Sequence, residues 1–490
     1  STPIFHWRIS IASWFLLSLV CAAEFWSPPA GNSQGARNSP HAPPDKTHSE
    51  KTTQPQSAED LTVAAVGDII AAQSFANVKN PDFTSVMNII ERSDIGFGNL
   101  EGTLLDIKNF KGYPEAENGG MWLIGEPQVA AALRSLGFRM LARANNHSTE
   151  WGRDGMRETD KALDKAGIVH AGTGENRALA RAAAYLATPK GRAGLVSMAS
   201  SFTPSSVASP KQPNIASRPG MNAIRTEEFH IVSPDMMDAL LKINESQLES
   251  ASSGSGKTEA EKPTELNLFG VSYRVGGNVG GSSFRMNPID LAENLASIRE
   301  GKKHSNFLIA TIHTHEPGNW SQQPPDFLID LAHQSIDAGA DEFVGHGPHQ
   351  LRGIELYKGK PIFYSLGNFI FEVEKQTPVP LEMYESLEQD PRKVSDAELD
   401  RLFVKKYLDS ELWYESVIAV SRFEHGRLAE VRLYPVELGF ATQDALRGLP
   451  RVPPPAMAQA ILKRLQELSE PFYTQIRIEN NEGVIRPNEK

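Results

Sequence analysis

The chain has 490 residues, a formal net charge of −11, 40% hydrophobic residues and 22% charged ones. That balance supports a large buried core, and the length is long for one domain and short for three. No long Lys/Arg run is present, which argues against a nucleic-acid partner, and the lone cysteine, Cys21, excludes both an intramolecular disulfide and a thiolate zinc site.

Arg8 precedes an apolar run, Ile9–Ala23, that ends in small residues. The layout is that of a secretory signal cut after Ala22 or Ala23, or of an uncleaved anchor, although a spanning helix needs about 20 apolar residues. Residues 1–26 are therefore expected to be a signal peptide or membrane anchor. The protein is expected to be exported: periplasmic, extracellular or membrane-anchored by its N-terminus. Residues 27–60 are rich in Pro, Ser, Gln and Asn and read as a disordered linker.

The folded part begins with a strand at Leu61–Val66, closed by Gly67-Asp68. A helix (Phe83–Arg92) and a strand (Asp94–Gly98) follow, then a helix (Pro127–Leu136), a strand (Arg139–Ala144), a helix (Arg153–Ala166) and a strand (Ile168–Ala171). This alternation predicts an α/β protein. Tyr185–Thr188 and Leu195–Ala199 read as a hairpin. Residues 204–265 break the rhythm and read as an insertion with one helix, Pro234–Leu248. Regular structure resumes with Leu291–Arg299 (helix), Asn306–Ile312 (strand), Phe327–Ala338 (helix) and Glu342–Val344 (strand). Strands Gly353–Tyr357 and Pro361–Ser365 flank a turn. The main domain is expected to span 61–375. Residues 376–490, with a strand pair at Trp413–Phe423 and Leu428–Pro435, are expected to form a C-terminal extension packing on the core.

Metal-binding residue types recur just after the apolar strands: Asp68; Asn99 and Glu101; Asn145, Asn146 and His147; His313, His315 and Glu316; His346 and His349. Strand ends of this kind share one edge of a sheet, where α/β folds keep their sites. Carboxylate, amide oxygen and imidazole without thiolate suit a divalent ion such as Mn, Zn or Fe. Two close ions could together hold a phosphate. His230, His304 and His333 read as surface or core residues.

Five blocks carry a more specific signal. Gly67-Asp68, Asn99-Leu-Glu101, Ala144-Asn-Asn-His147, Gly345-His-Gly-Pro-His349 and Tyr364-Ser-Leu-Gly-Asn-Phe369 resemble, in order, the motifs of the CapA family of capsule synthesis proteins. Gly172-Thr-Gly174 with Asn176, and Arg218-Pro-Gly-Met-Asn222, resemble its lesser motifs, so the similarity spans about 61–371. The resemblance implies a calcineurin-like metallophosphoesterase scaffold, a four-layer α/β/β/α sandwich. It also implies a link to making or anchoring capsular poly-γ-glutamate. The expected partners are thus an anionic envelope polymer and a membrane synthesis complex. By position, Asp68 is implied as a metal ligand and Asn99 or Glu101 as holder of the bridging carboxylate's place. Asn146 is implied as a ligand, with His147 beside it as general acid. His313 or His315, His346 and His349 complete the shell, around one or two ions. Asn99, Asn145, Arg352 and Asn368 are candidates for touching substrate, Asn368 being equally readable as a structural stitch and Arg352 as a solvated charge.

The chain departs from the superfamily pattern at several points. Ile70 stands where a His is common, Asn99 where the bridging Asp is common, and Glu150 where an Asp often follows the Asn-Asn-His block. His313-Thr-His-Glu-Pro317 replaces a His-Trp-Gly-x-Glu block. Three functions follow as expectations: a metal-dependent hydrolase or transferase, a non-catalytic polymer-binding assembly factor, or metal-assisted proton abstraction as in an epimerase.

Overall fold

Leu61–Ile70 is buried along almost its whole length, as befits a central strand covered on both faces. Its side chains alternate, so Val63 and Ala65 enter one core while Ala64 and Val66 enter another. The computed structural model describes residues 60–115, 121–249, 263–442 and 445–487. The expected export segment, residues 27–59 of the linker and the Ser/Gly-rich stretch 250–262 lie outside the described residues. Among those described, no helix is long and apolar enough to cross a membrane.

Leu61–Ile70 centres a nine-stranded sheet. On one side it pairs in parallel with Ile95–Leu100, which is followed outward by Phe138–Ala142 and Val169–Ala171. On the other side its first half pairs antiparallel with Glu415–Glu424 and its second half in parallel with Asn368–Phe371. A second sheet has six strands, in the order Ile354–Tyr357, Lys360–Phe363, Glu342–His346, Phe307–His313, Gly191–Ala199 and Ala184–Thr188.

One apolar core lies between the sheets, with Val63, Phe97 and Val417 from the first facing Leu195, Ile309 and Val344 from the second. The outer face of the first sheet is covered by helices Pro81–Glu91, Gln128–Ser135 and Gly152–Ala166 through Val86, Leu133 and Leu163. Helices Pro288–Lys303 and Asp326–Asp337 cover the second through Ile298 and Leu331. The chain is the expected four-layer α/β/β/α sandwich.

Two expected boundaries differ. The C-terminal region is no appendage packed on a finished core. Residues 415–424, 427–437, 477–479 and 482–485 are four strands of the first sheet itself, starting with the ladder Leu61↔Phe423 to Ala65↔Ala419. Local patterning reveals a strand pair but not its remote partner. The insertion is also displaced. A separate four-stranded sheet runs from Thr226 to Met286, with helix Pro234–Glu249 between its strands. Residues 204–224 instead return to the main body, where Asn222 Nδ2 donates to the Ser197 carbonyl (2.8 Å) and Thr149 Oγ1 to Ser206 Oγ (2.7 Å).

The register sets up the site. Asp68 lies level with Asn99 on one neighbour and Asn368 on the other, and His313 lies level with His346. Gly67 permits this, because a Cβ there would stand 1.8 Å from the Gly367 carbonyl oxygen.

Candidate metal centre

Asp68 sits at zero exposure with both oxygens engaged. Oδ1 accepts from Asn99 Nδ2 (2.8 Å) and Oδ2 from the Gly347 amide (3.0 Å). Gly347 can reach it because its φ is +114°, and a side chain there would strike the Thr314 carbonyl. Burial pushes the Asp68 carboxyl up, but the imidazoles around it, His313 (3.7 Å), His349 and His346, outweigh it and hold Asp68 well below the carboxylate range.

The imidazoles go the other way. Burial brings His313 and His349 each down to about 3 and also lowers His315 and His346, so all four are neutral, as metal ligation requires. His349 is held in the left-handed region (φ +57°), and its Nδ1 lies 2.9 Å from Asn368 Oδ1. Strained backbone of this kind gathers at functional sites.

Glu101 is the anomaly. It is buried, and neither carboxylate oxygen has a hydrogen-bond partner. Burial, then the charges of Asp68 and Glu150, push its pKa well up. Around Oε1 stand His313 Nε2 (3.6 Å), His147 Nε2 (3.6 Å) and His349 Nε2 (3.8 Å). These gaps exceed hydrogen bonds, yet ligand atoms sharing one ion at bonds of about 2.1 Å stand about 3.4 Å apart in tetrahedral geometry. Two groups of candidate ligand atoms lie within 4.8 Å of one another: Glu101, His313 and His315; and Asp68, Glu101 and His349. Glu101 is common to both, and the donor set fits a divalent ion.

Other residues serve this cluster. Asn99, an expected substrate contact, is instead fully buried: its amide donates to Asp68, and its Oδ1 accepts from Asn145 Nδ2 (3.2 Å). Asn145, expected likewise, also donates to the Leu100 carbonyl and accepts from the His147 amide. Both amides are scaffolding. His147 carries Glu150 on its Nδ1 (2.7 Å), so the departure at position 150 keeps a carboxylate partner for this ring. Asn146, His147, His315 and His349 line a cavity of about 680 Å³.

Three expected site residues stand against protein atoms. His346, expected as a ligand, belongs to neither candidate group. Its Nδ1 faces Thr311 Oγ1 (3.1 Å) and its Nε2 the Val66 carbonyl (3.3 Å), so protein atoms engage both nitrogens. Arg352 is neither a surface charge nor a substrate contact. Its buried guanidinium donates to the Ser321 and Glu316 carbonyls, tying down the loop after His315. Asn368 orients His349 and donates to the Trp413 carbonyl, which makes it a stitch rather than a substrate contact.

The sequence reading missed four contributors. Arg143, fully buried, donates to the Leu100 and Gly102 carbonyls on either side of Glu101. An arginine directly after an apolar strand and before Asn-Asn-His was the available signal. Trp413, Phe403 and Tyr407 line the cavity from the C-terminal region, where no motif marks them.

Residues 62–373 match the family described as "Bacterial capsule synthesis protein PGA_cap". The chain is 46% identical over 439 residues to the uncharacterized protein y4sH of Sinorhizobium fredii (strain NBRC 101917 / NGR234), covering 87% of this chain and 93% of that one. It is 25% identical over 319 residues to the capsule biosynthesis protein CapA of Bacillus anthracis, covering 64% and 60%. It is 27% identical over 251 residues to a probable polyglutamine synthesis accessory protein of Mycobacterium tuberculosis, covering 51% and 49%. A family match that runs from the strand bearing Asp68 past Asn368 shows that this chain belongs to the bacterial capsule synthesis family PGA_cap.

Proposed function

We propose that this protein is a metal-dependent hydrolase or transferase of the cell envelope, exported or held at the membrane by its N-terminus. Its substrate is a bond within, or anchoring, an anionic capsule polymer such as poly-γ-glutamate, and it works beside a membrane synthesis complex. The observation that carries this reading is Glu101, a buried carboxylate whose two oxygens lack hydrogen bonds and which faces three imidazoles. Leaving such a charge uncompensated costs several kcal/mol, and a cation removes that cost.

A divalent ion, Mn, Zn or Fe, held by Asp68, Glu101, His313 and His349 with His315 beside them, would supply Lewis acidity at the reacting bond. The sharing of Glu101 between two groups supports room for a second ion. Asn99 and Gly347 keep Asp68 aimed and ionised. His147, oriented by Glu150, holds a proton for the leaving group at the cavity wall, and Asn146 offers an amide beside it.

One observation favours a second reading. Asn99 places a neutral amide beside Asp68 where a second carboxylate would strengthen metal binding, which suits a non-catalytic polymer-binding factor. Elemental analysis of wild type, His313→Ala and His349→Ala, with turnover of γ-glutamyl and phosphoester substrates, separates the readings. One or two metal equivalents, lost in both variants, with metal-dependent turnover, support the hydrolase or transferase. Metal and polymer binding without turnover support the second. No metal after incubation with Mn or Zn overturns the metal-dependent reading. Cell fractionation of the full chain tests export, and a cytoplasmic location overturns that part.

A further inference from the structure

Two unlike sets of residues line the cavity beside the cluster. One is polar and carries Asn146, His147, His315 and His349. The other is built from Ile70, Leu123, Phe371, Phe403, Leu408 and Trp413. The apolar wall begins at the candidate ligands themselves: the Trp413 ring lies 5.5 Å from that of His349 and parallel to Phe371 (10°, 6.3 Å). Among the described residues, no Lys or Arg lines the cavity.

A bare polyanion suits such a space poorly. Successive carboxylates would leave water for a wall of aromatic and aliphatic carbon, with no cationic side chain to replace their hydration. An apolar group suits it well, since each methylene moved from water onto such a wall strengthens binding about fourfold. We infer that the part of the substrate entering this site is an anionic group bearing an apolar chain, the anion at the His147, His315 and His349 end of the cavity, against the ion that the cluster would hold, and the chain along Phe371, Phe403 and Trp413. The inference rests on the metal-dependent reading for the seat of the anion. It narrows the substrate from the polymer at large to an amphipathic end or carrier, with the polar repeat left outside the cavity.

The test is calorimetric binding to the full chain of three probes: ethyl phosphate, octyl phosphate below its micelle concentration, and γ-linked triglutamate. If half of the six extra methylenes reach the wall, octyl phosphate binds about fiftyfold more tightly than ethyl phosphate. A ratio of tenfold or more, with octyl phosphate ahead of triglutamate, supports the inference. A smaller ratio, or triglutamate binding more tightly, overturns it. Trp413→Ala should collapse the ratio. Should that variant fail to fold, Tyr407→Glu, at a half-exposed ring on the same wall, should weaken octyl phosphate alone. Metal content of the same samples separates the two failures. Metal bound with a flat ratio sinks this inference only, whereas no metal with a steep ratio sinks the metal-dependent reading and the anion's seat with it, leaving only the apolar wall.

Discussion

Replacing Glu101 with Gln should invert in sign between metal-free and metal-loaded protein. In the metal-free state the carboxylate is buried, hydrogen-bonds to nothing, and faces the charges of Asp68 and Glu150. Glu101→Gln removes that repulsion at nearly constant volume. Because burial holds the Glu101 pKa well up, wild type must take up a proton to fold at neutral pH, and the variant should be more stable than wild type in EDTA by about 1–3 kcal/mol. With metal present the order reverses. An ion at a hundred times its dissociation constant adds about 2.7 kcal/mol to a protein that binds it only when folded. A variant that has lost the carboxylate common to both candidate ligand groups gains little of that. Urea denaturation of both proteins, in EDTA and in millimolar Mn or Zn, measures all four stabilities. A variant less stable than wild type in EDTA would refute the reasoning, since Glu101 would then be satisfied without a cation.

Two further changes separate the cluster from its surroundings. Glu150→Gln and His147→Ala should lower turnover by about 10²–10⁴ while leaving metal content intact, because His147 is read as a proton donor and Glu150 as its orienting partner; loss of metal in either variant would move His147 into the ligand shell. Glu342, buried between the sheets near Ser421, is raised by burial to about 8. Between pH about 4.5 and 8 the folded state therefore keeps a proton that the unfolded chain has released, so stability falls as pH rises through that window. Glu342→Gln should abolish this fall and exceed wild type at pH 9 by on the order of 2–4 kcal/mol; parallel urea-derived profiles for the two proteins would count against it.

The layered fold was legible because its signal is local. Strands such as Phe307–His313 are uninterrupted apolar runs, and helices such as Gly152–Ala166 carry one apolar face, so element type and order follow from pattern. The cluster was legible for a related reason: parallel strands put their C-terminal ends on one edge, so polar residues after each run must converge. The division of labour among them was not legible. Asn99, Asn145 and Asn368 have the chemistry to touch a ligand, and only the three-dimensional register shows their amides spent on Asp68, on one another and on His349. His346 likewise carries a ligand's ring but is turned toward Thr311 and Val66. The apolar cavity wall was hidden most completely, since it joins Phe371 to Phe403 and Trp413 from a region read as a separate extension.

The exchange of a carboxylate for Asn99 is intelligible in these terms. Asn99 lies level with Asp68 on the adjacent strand, close enough for a 2.8 Å hydrogen bond. A carboxylate in that position would set two anionic oxygens at contact distance and would require a cation between them at all times. The amide turns that repulsion into a bond that aims Asp68. Two residues on, just past the strand end, Glu101 restores a carboxylate with one more methylene of reach. Arg143, gripping the carbonyls on either side of it, holds the Glu101 backbone in place. Glu101 thus supplies beside Asp68 the carboxylate that Asn99 does not. Loss of a carboxylate at position 99 is for this reason poor evidence that the site has lost its ion, and Glu101 is the residue on which that question turns.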